Sequence, residues 1–173
     1  IYNLVQKIIW IFSRRNSFMK PMKLFLFFSV MFIVAHAQTA SKTLPLWNTA
    51  NDKLAVQDWL VTPVATKAQV YTSNDGKDII LYNGLLKRVF RITPNVACTD
   101  YKNMGNGQQL LRAVTPEARL TINHNAYNVG GLYGQKEHAY LLPEWVNAFT
   151  NDKNDFQFQS YSVTDIQPFI HWK

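Results

Sequence analysis

From residue 67 onward, apolar and polar positions alternate in short runs separated by Asn-, Asp- and Gly-bearing turns, the pattern of antiparallel strands. Residues 67–73 (KAQVYTS) run into Asn74-Asp75-Gly76 and continue as 78–83 (DIILYN), a hairpin whose turn positions accept positive φ. Asn83-Gly84 marks a second such turn, followed by 85–92 (LLKRVFRI). There Leu86, Phe90 and Ile92 share one side, with Lys87 and Arg91 on the other, which predicts a half-buried strand with a wet face. Arg88 falls on the apolar side and needs a partner. Thr93-Pro94-Asn95 interrupts, 96–103 (VACTDYKN) reads as the next strand, and 103–107 (NMGNG) as a loop. Ala118, Leu120 and Ile122 alternate strictly with Arg119, Thr121 and Asn123, which predicts a strand with the first set in the core. His124-Asn125 then turns the chain into 126–131 (AYNVGG). One short helical piece is expected where Pro143 opens a turn, Glu144 suits the helix dipole, and Trp145, Val146 and Phe149 follow. Residues 156–166 (FQFQSYSVTDI) close with a strand. The expected fold class is all-β, an antiparallel β-sandwich over 67–173 with one short helix. Residues 38–66, with Leu44, Leu46, Trp47, Trp59 and Leu60, form a lead-in.

The pattern before residue 38 is of another kind. Met19-Lys20-Pro21-Met22-Lys23 is basic, residues 24–35 (LFLFFSVMFIVA) are apolar except for Ser29, and Ala35-His36-Ala37 places small residues where a signal peptidase reads. The apolar run falls short of the about 20 residues that a membrane-spanning helix requires. Residues 19–37 therefore read as a signal-peptide helix, started at Met19 or Met22 and cleaved between Ala37 and Gln38. The expected compartment is periplasmic or secreted, with membrane contact only through the leader before cleavage. Residues 1–18 carry no cap or turn signal and read as translated sequence upstream of that start, the Arg14-Arg15 pair leaving twin-arginine export as a minor alternative.

Removing 1–37 changes the charge. Five of the eighteen basic side chains and none of the eleven acidic ones lie there, so the remainder carries about +2 instead of +7. A nucleic-acid partner loses its main support, since it needs a basic patch on the folded domain. The remaining stretch has the length of one domain. Its single cysteine, Cys98, closes no internal disulfide and reads as a buried thiol on a strand. No metal-ligand spacing of Cys or His occurs, and no cofactor is expected.

Chemistry is sparse in this pattern. No nucleophile elbow, P-loop or HExxH occurs. Gly130-Gly131-Leu132-Tyr133-Gly134 lacks the Lys-Ser/Thr and the helix that phosphate binding needs, so it reads as a tight bend. Glycoside hydrolysis needs two carboxyl groups across the scissile bond, and the candidate pairs are Asp75/Asp78, Glu137/Glu144 and Asp152/Asp155. The first flanks a turn, the last sits in what reads as a solvated loop, and none is assigned as catalytic. The most distinctive stretch is 131–149 (GLYGQKEHAYLLPEWVNAF). Tyr133, Gln135, His138, Tyr140, Glu144 and Trp145 together suit a sugar ring, through stacking beside amide and carboxylate groups. They equally suit an interdomain packing face, because large aromatics dominate cores and interfaces.

Residues 58–60 (DWL), 70–97, 110–122 (LLRAVTPEARLTI) and 127–145 (YNVGGLYGQ…AYLLPEW) resemble the N-terminal domain of secreted bacterial α-galactosidase-like, melibiase-type glycoside hydrolases. The resemblance implies a super-sandwich type of β-sandwich leading into a β/α barrel of the same polypeptide. That barrel carries an Asp nucleophile in a K-x-D context and a second Asp as acid/base. The one K-x-D here, Lys153-Asn154-Asp155, has no buried strand before it, so no family catalytic residue is carried onto this chain. The resemblance thus implies a non-catalytic domain truncated at its C-terminal end, with the downstream barrel as partner and carbohydrate as ligand. A stand-alone sugar-binding or adhesion module is the rival reading, and a structural envelope domain a third.

Overall fold

The computed structural model describes residues 6–13, 43–55, 58–62 and 65–165. The leader residues Ala35, Ala37 and Gln38, and the signal-peptide helix, lie outside the described residues. In chain order the strands are β1 (Gln6–Ser13), β2 (Gln69–Thr72), β3 (Asp78–Tyr82), β4 (Leu86–Arg91), β5 (Ala97–Asn103), β6 (Ala118–Ile122), β7 (Asn125–Val129) and β8 (Gln157–Asp165). Short 3-10 helices span Thr49–Asp52 and Pro143–Ala148. The fold is all-β and sandwich-like, with antiparallel sheets. β2-β3-β4-β5 form a four-stranded meander, while β6-β7 and β1-β8 are two-stranded ribbons. Residues 6–13, set apart from the folded domain by sequence, pair with β8 from Gln6↔Asp165 to Ser13↔Gln157.

Turn chemistry sets the meander. Gly76 takes φ 68°, while the Ser73 hydroxyl donates to Asp75 at 2.6 Å and accepts from the Asp78 amide at 2.9 Å. At the next turn Gly84 takes φ 86°, and the Asn83 side-chain oxygen accepts from the amides of Leu85 and Leu86 at 3.0 and 2.8 Å. A bulge between Val89 and Phe90 puts Cys98 opposite Phe90 and Tyr101 opposite Arg88. One sheet face therefore presents Ile79, Leu81, Arg88, Phe90, Cys98 and Tyr101. Phe90, Val96 and Cys98 are buried there beneath Trp10, Phe12 and Phe158. Cys98 is thus the buried strand thiol expected of it, and burial raises its pKa against the pull of Arg88.

The other face is drier than its pattern implied. Trp47 meets Tyr71 and Tyr82 edge-on, each at 5.2 Å between ring centroids, so the lead-in covers this side. Lys87, expected in water, lies 2.6 Å from Asp52 and 3.2 Å from Asp100. Arg91, also expected in water, is buried: its Nε donates to Asp78 at 2.5 Å and an Nη to Asn147 at 2.9 Å. Alternation marked these positions as polar, but groups remote in sequence, Asp52 at Lys87 and Asn147 at Arg91, close on them and their charges are paired there.

A second cluster joins Ala97, Leu132, Val146 and Phe149, with Val114, Leu141 and Trp145 against it. It forms because Gly130 and Gly131 bend the chain at φ 67° and 102°, and the Gly131 amide donates to the Val96 carbonyl at 2.7 Å. A Cβ on Gly130 would lie 2.5 Å from that carbonyl oxygen, so no larger residue fits. The glycine pair is a bend, as its sequence suggested. The strand with Ala118, Leu120 and Ile122 is present, but its expected burial is not. All five residues of β6 are exposed, Leu120 at 44% and Ile122 at 45%, because among the described residues β6 pairs with β7 alone.

Candidate functional site

The stretch 131–149 leaves β7 through the glycine bend and runs into the 3-10 helix Pro143–Ala148. Its members divide into three environments. Tyr133 points back to the β7–β8 junction, where its hydroxyl donates to Asp155 Oδ2 in a short hydrogen bond. Asn128 donates its side-chain amide to Tyr133 Oη at 3.0 Å and to Asp155 Oδ2 at 3.4 Å, and its backbone amide to Asp155 Oδ1 at 3.2 Å. Asp155 is only 7% exposed, so the solvated-loop expectation for it fails. Its carboxylate is consumed in tying β7 to the start of β8. Burial, then the bond to Asp155, raises the Tyr133 pKa above its ordinary 10.0.

Gln135 works as a clamp. Its side-chain oxygen accepts from the Val114 amide at 3.0 Å, and its nitrogen donates to the carbonyls of Ala139 at 2.8 Å and Arg112 at 3.4 Å. The clamp closes one side of an open hollow of about 330 Å³ lined by Arg112, Ala113, Val114, Gln135, Lys136, Glu137, His138 and Ala139. His138 is held at φ 57°, a left-handed conformation that a tight loop imposes.

Tyr140 and Trp145 stand by this hollow. Tyr140 is 69% exposed, with the Arg112 guanidinium 5.1 Å from its ring centroid. Trp145 is half buried against the second core cluster, with Lys136 Nζ 5.3 Å from its ring. A cation thus lies over each aromatic ring. Glu144 is exposed in the first turn of the 3-10 helix. Arg112 escaped the sequence reading because it belongs to a distant loop, brought here by the Gln135 clamp and the Leu141 amide bonding its carbonyl at 2.9 Å.

The structure therefore brings Gln135, His138, Tyr140 and Trp145 to one surface with Arg112, and directs Tyr133 elsewhere. Of the carboxylate pairs, Asp75 belongs to its turn, Asp78 to Arg91, and Asp155 to Tyr133. Among the described residues, no three His, Cys, Asp or Glu side chains gather to hold a metal ion. No described helix is long and apolar enough to cross a membrane. Comparison with protein families, with curated proteins and with solved structures finds no match for this chain.

Proposed function

We propose that this chain is a non-catalytic β-sandwich domain of an exported, α-galactosidase-like glycoside hydrolase, and that its 131–149 face docks against the catalytic barrel. The observation that carries the docking role is the state of the aromatic surface. Arg112 and Lys136 lie over the Tyr140 and Trp145 rings, and Gln135 spends its amide on backbone groups. Sugar recognition uses open ring faces beside free amides, whereas Tyr, Trp and Arg side by side are the residues enriched at packing interfaces. The hollow between Arg112 and His138 keeps a stand-alone sugar-binding module as the second reading, because it sets two cations and a carboxylate within reach of hydroxyl groups.

Two measurements separate these readings. The reading frame beyond Lys173 is expected to encode a β/α barrel with acidic strand ends; a stop codon or repeated β-modules would favour the second reading. Titrating galactose against the protein, with Trp145→Phe as the control for other tryptophans, is expected to leave fluorescence unchanged. A saturable change abolished by Tyr140→Ala would place sugar at the hollow. No galactoside turnover is expected from this chain, and turnover lost in Glu144→Gln or Asp155→Asn would make it an enzyme in its own right.

A further inference from the structure

β1, which together with β8 covers part of the sheet's apolar face, is a strand that the export reading removes. β1 lies along β8 through eight paired positions, with a bulge between Ile11 and Phe12. Trp10 packs on Phe90, Phe158 and Tyr161 at centroid distances of 5.3, 5.5 and 6.1 Å, and Phe12 on Phe158 at 6.4 Å. Both rings close the cluster that holds Phe90, Val96 and Cys98. Initiation at Met19 or cleavage after Ala37 equally yields a chain without β1. Its nine-residue strand β8 would then present unpaired amides and carbonyls beside uncovered aromatic rings.

We infer that the β8 edge is a strand-accepting site. β1 fills it in the 1–173 chain, and in the exported form it takes an extended partner segment with aromatic side chains two residues apart. The chemistry is read from the occupant in place: within Gln6–Ser13 the only charged residue is Lys7, and Trp10 and Phe12 pack against the cluster. Backbone pairing supplies affinity in such strand addition, and alternate side chains supply selectivity. The same sheet face continues beyond the covered cluster into an apolar groove of about 190 Å³, whose walls include Leu81, Leu86, Arg88 and Tyr101. Leu81 and Tyr101 also pack against the covered cluster, so the groove and the strand slot form one surface. The inference rests on the export reading for the removal of β1, and on the β1–β8 geometry for the site.

The test uses the 1–173 chain cut after Ala37 by a signal peptidase, with the 1–37 fragment removed. Amide exchange across 157–165 and modification of Cys98 by a thiol reagent are followed. Both are expected to quicken by about tenfold or more after removal. A synthetic peptide of sequence QKIIWIFS should return both to the uncut level, and the same peptide with Trp10→Ala and Phe12→Ala should not. Unchanged protection after cutting, equal rescue by both peptides, or a dimer with a protected edge that ignores the peptide would each overturn the inference. The uncut chain carrying Trp10→Ala and Phe12→Ala guards against simple unfolding. Exchange there should rise in 157–165 but stay slow in 78–91, and added QKIIWIFS should restore protection; failure of that rescue also overturns it. The export reading fails separately, if the protein recovered from an exporting host keeps residues 1–37.

Discussion

Arg88 sits on the apolar face of β4, stacked 4.5 Å from the Phe90 ring and 5.6 Å from that of Tyr101. The partner its position demanded is Glu117, at 3.4 Å, which also accepts from the Cys98 amide at 2.9 Å. On the opposite face Asp78 and Arg91 form a more deeply buried pair. Burial raises the Asp78 carboxyl above its ordinary 3.8, and the Arg91 charge and hydrogen bond offset this only in part. A carboxyl raised by folding binds its proton more tightly in the folded chain. Its stabilising contribution is therefore full below 3.8 and is lost as pH climbs through the raised value. Arg91→Ala removes the offsetting influences, so denaturant midpoints should decline more steeply with pH in the variant, over a window reaching further up from 3.8. Because it also strands a buried carboxylate, the variant should lose about 3 kcal/mol near neutral pH in urea unfolding. A loss within that of an ordinary surface substitution would show the pair to be solvated.

At the scale of the elements, β6 and β3 are both patterned with apolar residues, yet they should respond oppositely to truncation. Ile79 on β3 is 1% exposed, and Ile79→Ala should cost about 2–5 kcal/mol. Leu120 on β6 stands open, so Leu120→Ala should stay within about 0.5 kcal/mol, indistinguishable from Thr121→Ala. A large loss at Leu120 would mean that another surface covers β6 in solution. The bend after β7 offers a third comparison. Gly130→Ala meets the Val96 carbonyl oxygen and requires a positive φ from alanine, so it should cost at least about 2 kcal/mol by thermal or urea unfolding. Gly76→Ala at a similar φ meets nothing within 4 Å and should cost less.

Across the whole molecule, the sandwich is lopsided. The four-stranded meander has part of its apolar face covered by β1 and β8 and its opposite face covered by the lead-in through Trp47 and Asp52. The lead-in is thus an integral layer, and Trp47→Ala should loosen the meander by about 3 kcal/mol, read as a lowered urea midpoint. Expression in an exporting bacterial host should give a mature N-terminus at Gln38 by mass spectrometry, because Ala35-His36-Ala37 follows a short apolar run. Recovery of intact leader on membrane-anchored protein would count decisively against this.

The sequence alone determined the antiparallel strands from residue 67 onward, their turns, the buried Cys98 and the short helical turn after Pro143, but not β1, whose residues read as upstream sequence. Each follows from interactions within a few residues: alternation along a strand, positive φ at Gly76 and Gly84, and Pro at a first-turn position. Which strand faces are buried was decided elsewhere. Leu120 and Ile122 alternate as well as any core strand, but among the described residues β6 pairs with β7 alone and its apolar side chains stay exposed. Lys87 and Arg91 looked wet and became covered because 46–53 and Asn147 arrive from far along the chain. The same distance hid Arg112 beside Tyr140 and turned Asp155 from a loop acid into the buried partner of Tyr133. Alternation states only that a strand has two unlike faces, and burial depends on whether a distant segment closes over one of them, which only the tertiary structure supplies.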